Sequence, residues 1–358
     1  MNLEIEKLPE FDNHELVSYF HDTKTGLRGY IAIHNTNLGP SAGGTRYWTY
    51  KTKEDALKDA LRLSKAMTYK CALAGVPYGG AKAVIIADPK KPKTKEFLKE
   101  YARQVNLLNG NYITGEDVGI DQRDVDILSE SSKFIVGHSK KGGDLGPWAA
   151  LGVFSALKGA LEAIYGTSDL KGRTVAIKGL GKVGFNLAKH IYENGGTLIG
   201  ADINPEAIKK AKKAFPGIKI VDKSVIHKQK CDIYAPCAMG GEFNRENIKD
   251  LKCEIICGGA NNQLAEPIVG RLLHERKILY VPDYLANAGG LINVVGEMRK
   301  GGYNQNWVEK KCLAIQGTAK KIIALSKKEK KPTSVVADRV AESIFLRKKR
   351  SPAKPIKS

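Results

Sequence analysis

Aromatic residues are scarce in this chain, acids are outnumbered, paired cysteines are missing and no apolar run is long. Phe, Trp and Tyr make up 7% of the 358 residues, and they do not alternate with basic residues in the way that stacks on nucleic-acid bases. The six cysteines, at 71, 231, 237, 253, 257 and 312, show no CxxC spacing. A zinc site or disulfide framework is therefore not expected, and the pair in Cys253-Glu254-Ile255-Ile256-Cys257 reads as buried thiols in a strand, with no metal called for. No apolar stretch approaches the roughly 20 residues that cross a bilayer. The start, Met1 to Glu6, has no basic region followed by an apolar run, so a soluble cytoplasmic protein without a membrane partner is expected.

The shortage of acids leaves a net charge of +20, a balance that raises nucleic-acid binding as a function. It is sharpest at the end, where Arg347, Lys348, Lys349, Arg350, Lys354 and Lys357 have no acid among them. Elsewhere lysines interleave with acids, as in Lys53-Glu54-Asp55 and Lys95-Glu96, the pattern of solvated faces. The expectation is no nucleic-acid partner and a solvating tail. The rival, a basic nucleic-acid-binding or structural protein on an enzyme scaffold, would bind DNA with a steep salt dependence that disappears without residues 347–358.

What is present fits two α/β domains, since one core seldom organises much more than roughly 250 residues. In the first region, strand-like runs at Gly29 to His34 and Ala83 to Ala87 alternate with helices. One helix spans about Lys53 to Met67, with Ala56, Leu57, Ala60 and Leu61 on one face and Lys70 just beyond it. A turn from Thr114 to Gly119 carries Glu116 and Asp117, and a helical stretch follows through Val125, Ile127 and Leu128. Lys140 to Asp144 reads as a hinge. We place the domains at 1–138 and 139–332, with a C-terminal helix and basic tail at 333–358 and a cleft between the domains.

The second region is more regular. Short β-rich runs at Thr174 to Lys178, Thr197 to Ala201, Ile218 to Val221, Asp232 to Ala235, Glu254 to Cys257 and Ile278 to Val281 are mostly separated by helical segments, the pattern of a doubly wound parallel sheet whose ligands bind beyond the strand ends. A closing helix from about Asn306 to Ser326 is expected to return the chain towards the first domain. The first strand leads into Gly179-Leu180-Gly181-Lys182-Val183-Gly184 and then a helical pattern. In that context Gly-x-Gly-x-x-Gly is a dinucleotide fingerprint: Gly179 makes the turn, Gly181 lets the backbone approach a pyrophosphate, and Gly184 packs helix on strand. Asp202, at the end of the next strand, would accept hydrogen bonds from the ribose hydroxyls. Ile203, Asn204 and Pro205 follow it with no arginine for a 2′-phosphate, so NAD is expected over NADP.

A lysine beside paired glycines, in Gly79-Gly80-Ala81-Lys82 just before an apolar strand, should be partly buried. A free lysine titrates near about 10.4, and desolvation with a neighbouring cation such as Lys70 would bring it towards about 7 to 8, where it works as a base. On spacing alone the bland reading, a surface lysine snorkelling into water at a strand end, has the greater support.

The run Val76 to Pro89 resembles the active-site signature of the glutamate, leucine, phenylalanine and valine dehydrogenases. So, in family order, do Gly43-Gly44-Thr45-Arg46, Met67-Thr68-Tyr69-Lys70, Asn109 through Glu116-Asp117-Val118-Gly119, Ala235-Pro236-Cys237-Ala238, Ala260-Asn261-Asn262-Gln263-Leu264, and Pro282-Asp283-Tyr284 through Asn287-Ala288-Gly289-Gly290. The resemblance runs from about Leu16 to Glu342 and is strongest to the leucine- and phenylalanine-using members, with tryptophan-using ones also similar. It implies an N-terminal α/β domain for substrate binding and oligomerisation, a Rossmann-type NAD domain, and homo-oligomers from dimers to octamers. The reaction would be reversible oxidative deamination of an L-amino acid to its 2-oxo acid and ammonia. It further implies that Lys82 is the acid and base, assisted by Asp117, and that Lys70 holds the substrate carboxylate. Gly43, Gly44, Gly115, Leu291, Val294 and Asn262 would lie around the substrate. Gly179, Gly181, Lys182, Val183, Gly184, Asp202, Cys237, Ala238 and Asn261 would lie around NAD, although either Asn261 or Asn262 fits the position between nicotinamide ribose and substrate.

The resemblance also bears on the substrate. Glutamate-using relatives carry a lysine before the first Gly-Gly pair, where this chain has Ala42. Burying a second carboxylate without that cation would cost several kcal/mol, so a large apolar side chain is expected. Gly115 and Leu291 resemble the phenylalanine-using members, leucine-using ones having alanine and valine there. One or two methylenes decide only about 1 to 3 kcal/mol, so leucine, other branched chains and phenylalanine all stay open. One departure concerns NAD: Ala149, in Pro147 to Gly152, stands where the family often has a threonine that contacts the nicotinamide amide.

Overall fold

The structure, a computed structural model, describes residues 4–88, 92–137 and 142–347. It comprises two compact units, Met1–Gly143 with Glu297–Tyr303 and Ala341–Ser358, and Asp144–Gly296 with Asn304–Val340. The expected hinge at Lys140 to Asp144 and the basic tail fall partly or almost wholly outside the described residues. The stretch beyond 332 is not separate: 333–340 belongs with the second unit and 341 onward with the first.

The first unit runs β1 (Leu16–His21), β2 (Arg28–Asn35), β3 (Ser41–Ala42), β4 (Thr45–Trp48), α1 (Lys53–Ala74), β5 (Gly79–Ile86), α2 (Lys95–Leu107), β6 (Tyr112–Ile113) and α3 (Gln122–Ser129). Its sheet has the order β1-β2-β5-β3-β6, with β4 also pairing β5. The β1–β2 and β2–β5 pairs are antiparallel, whereas β3 and β4 run parallel to β5. Alternation along β5 divides the core: Val84 and Ile86 meet Ala56, Leu57, Ala60 and Leu61 of α1, while Ala81, Ala83 and Ile85 meet Phe97, Leu98 and Tyr101 of α2. Covered on both faces, β5 is buried along its whole length.

Two expectations change here. The first helix continues past Met67 to Ala74, so Lys70 lies within it; no breaker intervenes before Gly75, whose left-handed φ of 64° closes the helix. Lys82 lies inside β5 rather than before it. Gly79 and Gly80 are strand residues pressed by neighbouring backbone: a Cβ on Gly79 would meet the Asn35 carbonyl oxygen at 2.0 Å, and one on Gly80 the Thr68 nitrogen at 2.0 Å.

The second unit begins with α4 (Leu145–Tyr165) and continues β7 (Thr174–Lys178), α5 (Lys182–Glu193), β8 (Thr197–Ala201), α6 (Pro205–Ala214), β9 (Lys219–Ile220), β10 (Ile233–Pro236), β11 (Ile255–Ile256), α7 (Pro267–Glu275), β12 (Leu279–Tyr280), α8 (Asp283–Ala286), α9 (Gly289–Glu297), α10 (Gln305–Glu329) and α11 (Thr333–Phe345), the last residue of α9 and the end of α11 from Ala341 belonging to the first unit. The six strands pair in parallel in the order β12-β11-β10-β7-β8-β9. Chain direction reverses between β7 and β10, the switch point where such sheets bind dinucleotides. The closing helix, α10, packs on α4, and the chain beyond it re-enters the first unit at Ala341. Gly159 gives the Gln316 backbone its approach, and Glu162 takes Gln316 and Lys320. Among the described residues no helix is long and apolar enough to cross a membrane.

The start of α1 is held by a reciprocal cap, the Thr52 hydroxyl accepting from the Asp55 N–H and the Asp55 carboxylate from the Thr52 N–H. Thr52→Ala is expected to lower stability by about 1 kcal/mol, read as an earlier urea midpoint with unchanged slope.

Candidate active site

Strand β5 presents Lys82 on the face it shares with Val84, towards α1, and leaves the side chain about 5% exposed. A cation so buried needs a partner. The turn after β6 supplies Asp117, whose Oδ1 lies 2.9 Å from Lys82 Nζ. That turn is brought in by close backbone contact, since a Cβ on Gly44 would meet the Glu116 carbonyl oxygen at 2.4 Å, and one on Gly43 the Ala81 carbonyl oxygen at 1.7 Å. Both glycines thus answer a packing demand in addition to any substrate contact.

Asp117 does not face Lys82 alone. Arg46 Nε on β4 donates to Asp117 Oδ2 at 3.2 Å and Arg46 Nη1 to Asp59 Oδ2 at 2.9 Å; Asp59 also accepts from the Tyr50 hydroxyl at 2.6 Å and from Arg62 at 2.7 Å. Burial pushes the Asp117 carboxyl upward, but the charges of Lys82 and Arg46 outweigh it and hold the group below the usual carboxylate range. Asp59 is lowered in the same way, against burial, by Tyr50, Arg62 and Arg46. The sequence reading passed over Asp59 and Tyr50 and gave Arg46 no role. Asp59 had a signal: with Ala56, Ala60 and Leu63 it sits on the apolar stripe of α1, an acid where the helix is otherwise buried.

Lys70, half-buried on α1, belongs to the same unit as Lys82 and Asp117, as do Gly43, Gly44 and Gly115. An added Cβ at Gly115 would meet the Val136 carbonyl oxygen at 2.5 Å. The other predicted substrate residues, Asn262, Leu291 and Val294, belong to the second unit. Leu291 and Val294, three residues apart on α9, share a half-buried face, and Asn262 holds a left-handed φ of 52°.

Around the switch point the glycines divide the work. Gly179 (φ 94°) would meet the Ala238 nitrogen at 2.9 Å if it carried a Cβ, and Gly184 would meet the Gly179 carbonyl oxygen at 1.8 Å. Gly181 faces open space and begins α5 with no side-chain cap. The first turn of α5 therefore leaves its N–H groups to an anion such as a pyrophosphate. Lys182 is exposed beside it, and Val183 packs beneath Gly259. Asp202 takes the Leu180 N–H at 2.6 Å and the Asn204 N–H at 2.8 Å, which leaves carboxylate lone pairs for ribose hydroxyls. Cys237, half-buried in the loop after β10, has its thiol pushed up to about 12 by desolvation; this sets it in packing. Asn287 Nδ2 donates to Asn261 Oδ1 at 2.7 Å, while Asn287 Oδ1 is buried with no hydrogen-bond partner, an acceptor left for a bound group. Uncapped helix, free carboxylate lone pairs and orphaned amide oxygen all fit NAD.

This division predicts different failures. Gly181→Val should fold with an unchanged thermal midpoint and lose at least about tenfold in NAD affinity by titration calorimetry, whereas Gly184→Val should lower the midpoint as well. Equal midpoints for the two variants would contradict it.

Comparison with known proteins agrees with this geometry. Residues 14–134 match the dimerisation domain of the Glu/Leu/Phe/Val dehydrogenases, and residues 146–332 the glutamate/leucine/phenylalanine/valine dehydrogenase domain. The chain is 44% identical to a leucine dehydrogenase of Bacillus subtilis (strain 168), over 98% of this chain and 96% of that protein. It is 43% identical to an L-tryptophan dehydrogenase of Nostoc punctiforme, over 96% of each. A crystal structure of the L-tryptophan dehydrogenase from Nostoc punctiforme superposes with a TM-score of 0.83 over 95% of this chain and 98% of that one, at 42% identity. The chain belongs to the Glu/Leu/Phe/Val dehydrogenase family and is an NAD-dependent amino-acid dehydrogenase.

Proposed function

We propose that this enzyme carries out reversible oxidative deamination of a large apolar L-amino acid, as a homo-oligomer in the cytoplasm, with Lys82 as its acid and base. The observation that carries the assignment is the buried Lys82–Asp117 pair, in the same unit as half-buried Lys70. Lys70 holds the substrate carboxylate as a fixed charge. Lys82, in its neutral form, accepts a proton from the substrate ammonium, and Asp117 fixes the direction of its Nζ. Bound NAD supplies the two-electron acceptor that takes the α-hydrogen as hydride. The substrate is then an iminium; Lys82, having passed the first proton to solvent, withdraws one from the water that adds to the iminium carbon, gives it to nitrogen, and takes the hydroxyl proton as the carbinolamine breaks into ammonia and the 2-oxo acid. Gly179, Gly181, Lys182, Val183, Gly184, Asp202, Cys237, Ala238 and Asn261 hold the dinucleotide. Gly43, Gly44, Gly115, Asn262, Leu291 and Val294 surround the substrate.

Ala42 is buried and apolar on β3, which supports an uncharged side chain in the guest. Glycine at 115 answers the Val136 backbone and so does not by itself report a roomier pocket; leucine stands first and phenylalanine second. Measured kcat/KM for leucine, valine, phenylalanine and tryptophan is expected to rank leucine highest, and a clear preference for an aromatic would reverse the order. Lys82→Ala should lose roughly 10³-fold in turnover while still binding amino acid, and retained turnover would sink the assignment. Ala149 lies beside Gly290, where an added Cβ would meet the Ala149 Cβ at 3.9 Å, an ordinary contact. Ala149→Thr is therefore expected to lower the Michaelis constant for NAD, and no change would count against an amide contact there.

A further inference from the structure

Chemistry at Lys82 requires it to give up a proton, yet a buried carboxylate at 2.9 Å favours the ammonium. The structure contains a counterweight. We propose that Arg46 is a positioning residue for catalysis that occupies the far oxygen of Asp117 and keeps the carboxylate from committing its whole charge to Lys82. The inference rests on Lys82 acting as the base.

The argument is one of shared charge. Arg46 Nε takes Asp117 Oδ2, so Oδ1 alone is presented to Lys82 and the carboxylate cannot rotate to grip the ammonium with both oxygens. Its guanidinium stays charged, and this fixed cation on the same carboxylate disfavours a second, proton-borne charge at Lys82. Arg46 is itself pinned: Asp59 binds its other nitrogen and is steadied in turn by Tyr50 and Arg62. The series Lys82, Asp117, Arg46, Asp59, Arg62 alternates in sign from β5 through β4 to α1.

Other ionisable groups on the elements against β5 do not supply this effect. On β2, burial raises Tyr30 and lowers His34, which keeps both neutral, and His34 is turned towards Thr68 and Asp12. On β4 burial raises Tyr47, and on α1 it lifts the Cys71 thiol to about 12. Lys70 on α1 and Glu116 beside Asp117 are left as neighbours whose charge is common to every variant below.

The test is the pH dependence of kcat/KM for deamination, whose acidic limb reports deprotonation of the base. In Arg46→Met the limb should move to higher pH by about one unit, with turnover at neutral pH down roughly tenfold and the amino-acid KM changed far less. Arg46→Lys keeps the charge and should leave the limb near its original place. Asp59→Asn, which loosens Arg46 without removing it, should fall between, and it carries the test if Arg46→Met does not fold. An unmoved limb in both Arg46→Met and Asp59→Asn, or a limb moved equally by Arg46→Lys and Arg46→Met, overturns the proposal. A wild-type chain that oxidises no apolar amino acid with NAD overturns the functional reading instead.

Discussion

A lysine on a strand buried on both faces is the constraint from which the first unit's arrangement follows. An unpaired ammonium there would cost several kcal/mol, so an acid has to be brought to it, and the acid must come from another segment because β5 has no other charged side chain. The turn holding Asp117 reaches Lys82 only by lying directly on the backbone at Gly44, and Gly43 is pressed as closely by Ala81. Glycines that look like flexible punctuation in the sequence are thus points where backbones press closely together. Their role is to remove Cβ atoms from the path of an ion pair.

The second unit solves a different problem with similar means. Its ligand is polyanionic, and the answer is backbone: an uncapped helix start at Gly181 and a carboxylate at Asp202 already oriented by two N–H groups. The segments around Trp148 and Gly289 interlock, because a Cβ on Gly289 would meet the Trp148 carbonyl oxygen at 1.8 Å. That contact fixes Asn287, two residues earlier, whose orphaned oxygen is among the features that fit NAD. One unit supplies charges and the other supplies directed N–H groups, so neither half of the chemistry follows from the fold class alone.

How far the sequence was legible tracks how local each feature is. All six strands of the NAD-binding sheet were readable because each is a short apolar run bounded by turn residues, and β7, β8 and β10 lead directly into predicted site residues, although three shrink to two paired residues. Lys82, Asp117 and Lys70 were readable as members of ordered motifs. The position of Lys82 within β5 was misjudged because Gly79-Gly80 signals a turn, and only the backbones of Asn35 and Thr68, distant in sequence, make those glycines a strand. The packing of α10 on α4 was not legible for the same reason: its apolar stripe says that it packs, not upon what. Asp59 was the readable signal left unread, since an acid on an apolar stripe requires a partner wherever the helix docks.

In the proposed reaction the charge network also lets one site tolerate both protonation states of Lys82. Three cations and two carboxylates, Lys82, Arg46, Arg62, Asp117 and Asp59, give one net positive charge when Lys82 is protonated and none when it is neutral. If Asp117 had Lys82 as its sole partner, every deprotonation would strand a buried carboxylate, and the cost would appear in the barrier. With Arg46 bonded throughout, Asp117 stays paired whichever form Lys82 takes. The lowered Asp117 pKa has the same origin, since both cations favour its ionised form over the protonated one. Stability from this carboxylate is present above its unfolded pKa of about 3.9 and is lost as pH falls through the lower folded value. The ionised partner of Lys82 is therefore secured to below the usual carboxylate range, and acid unfolding draws on the same residues as the proposed catalysis.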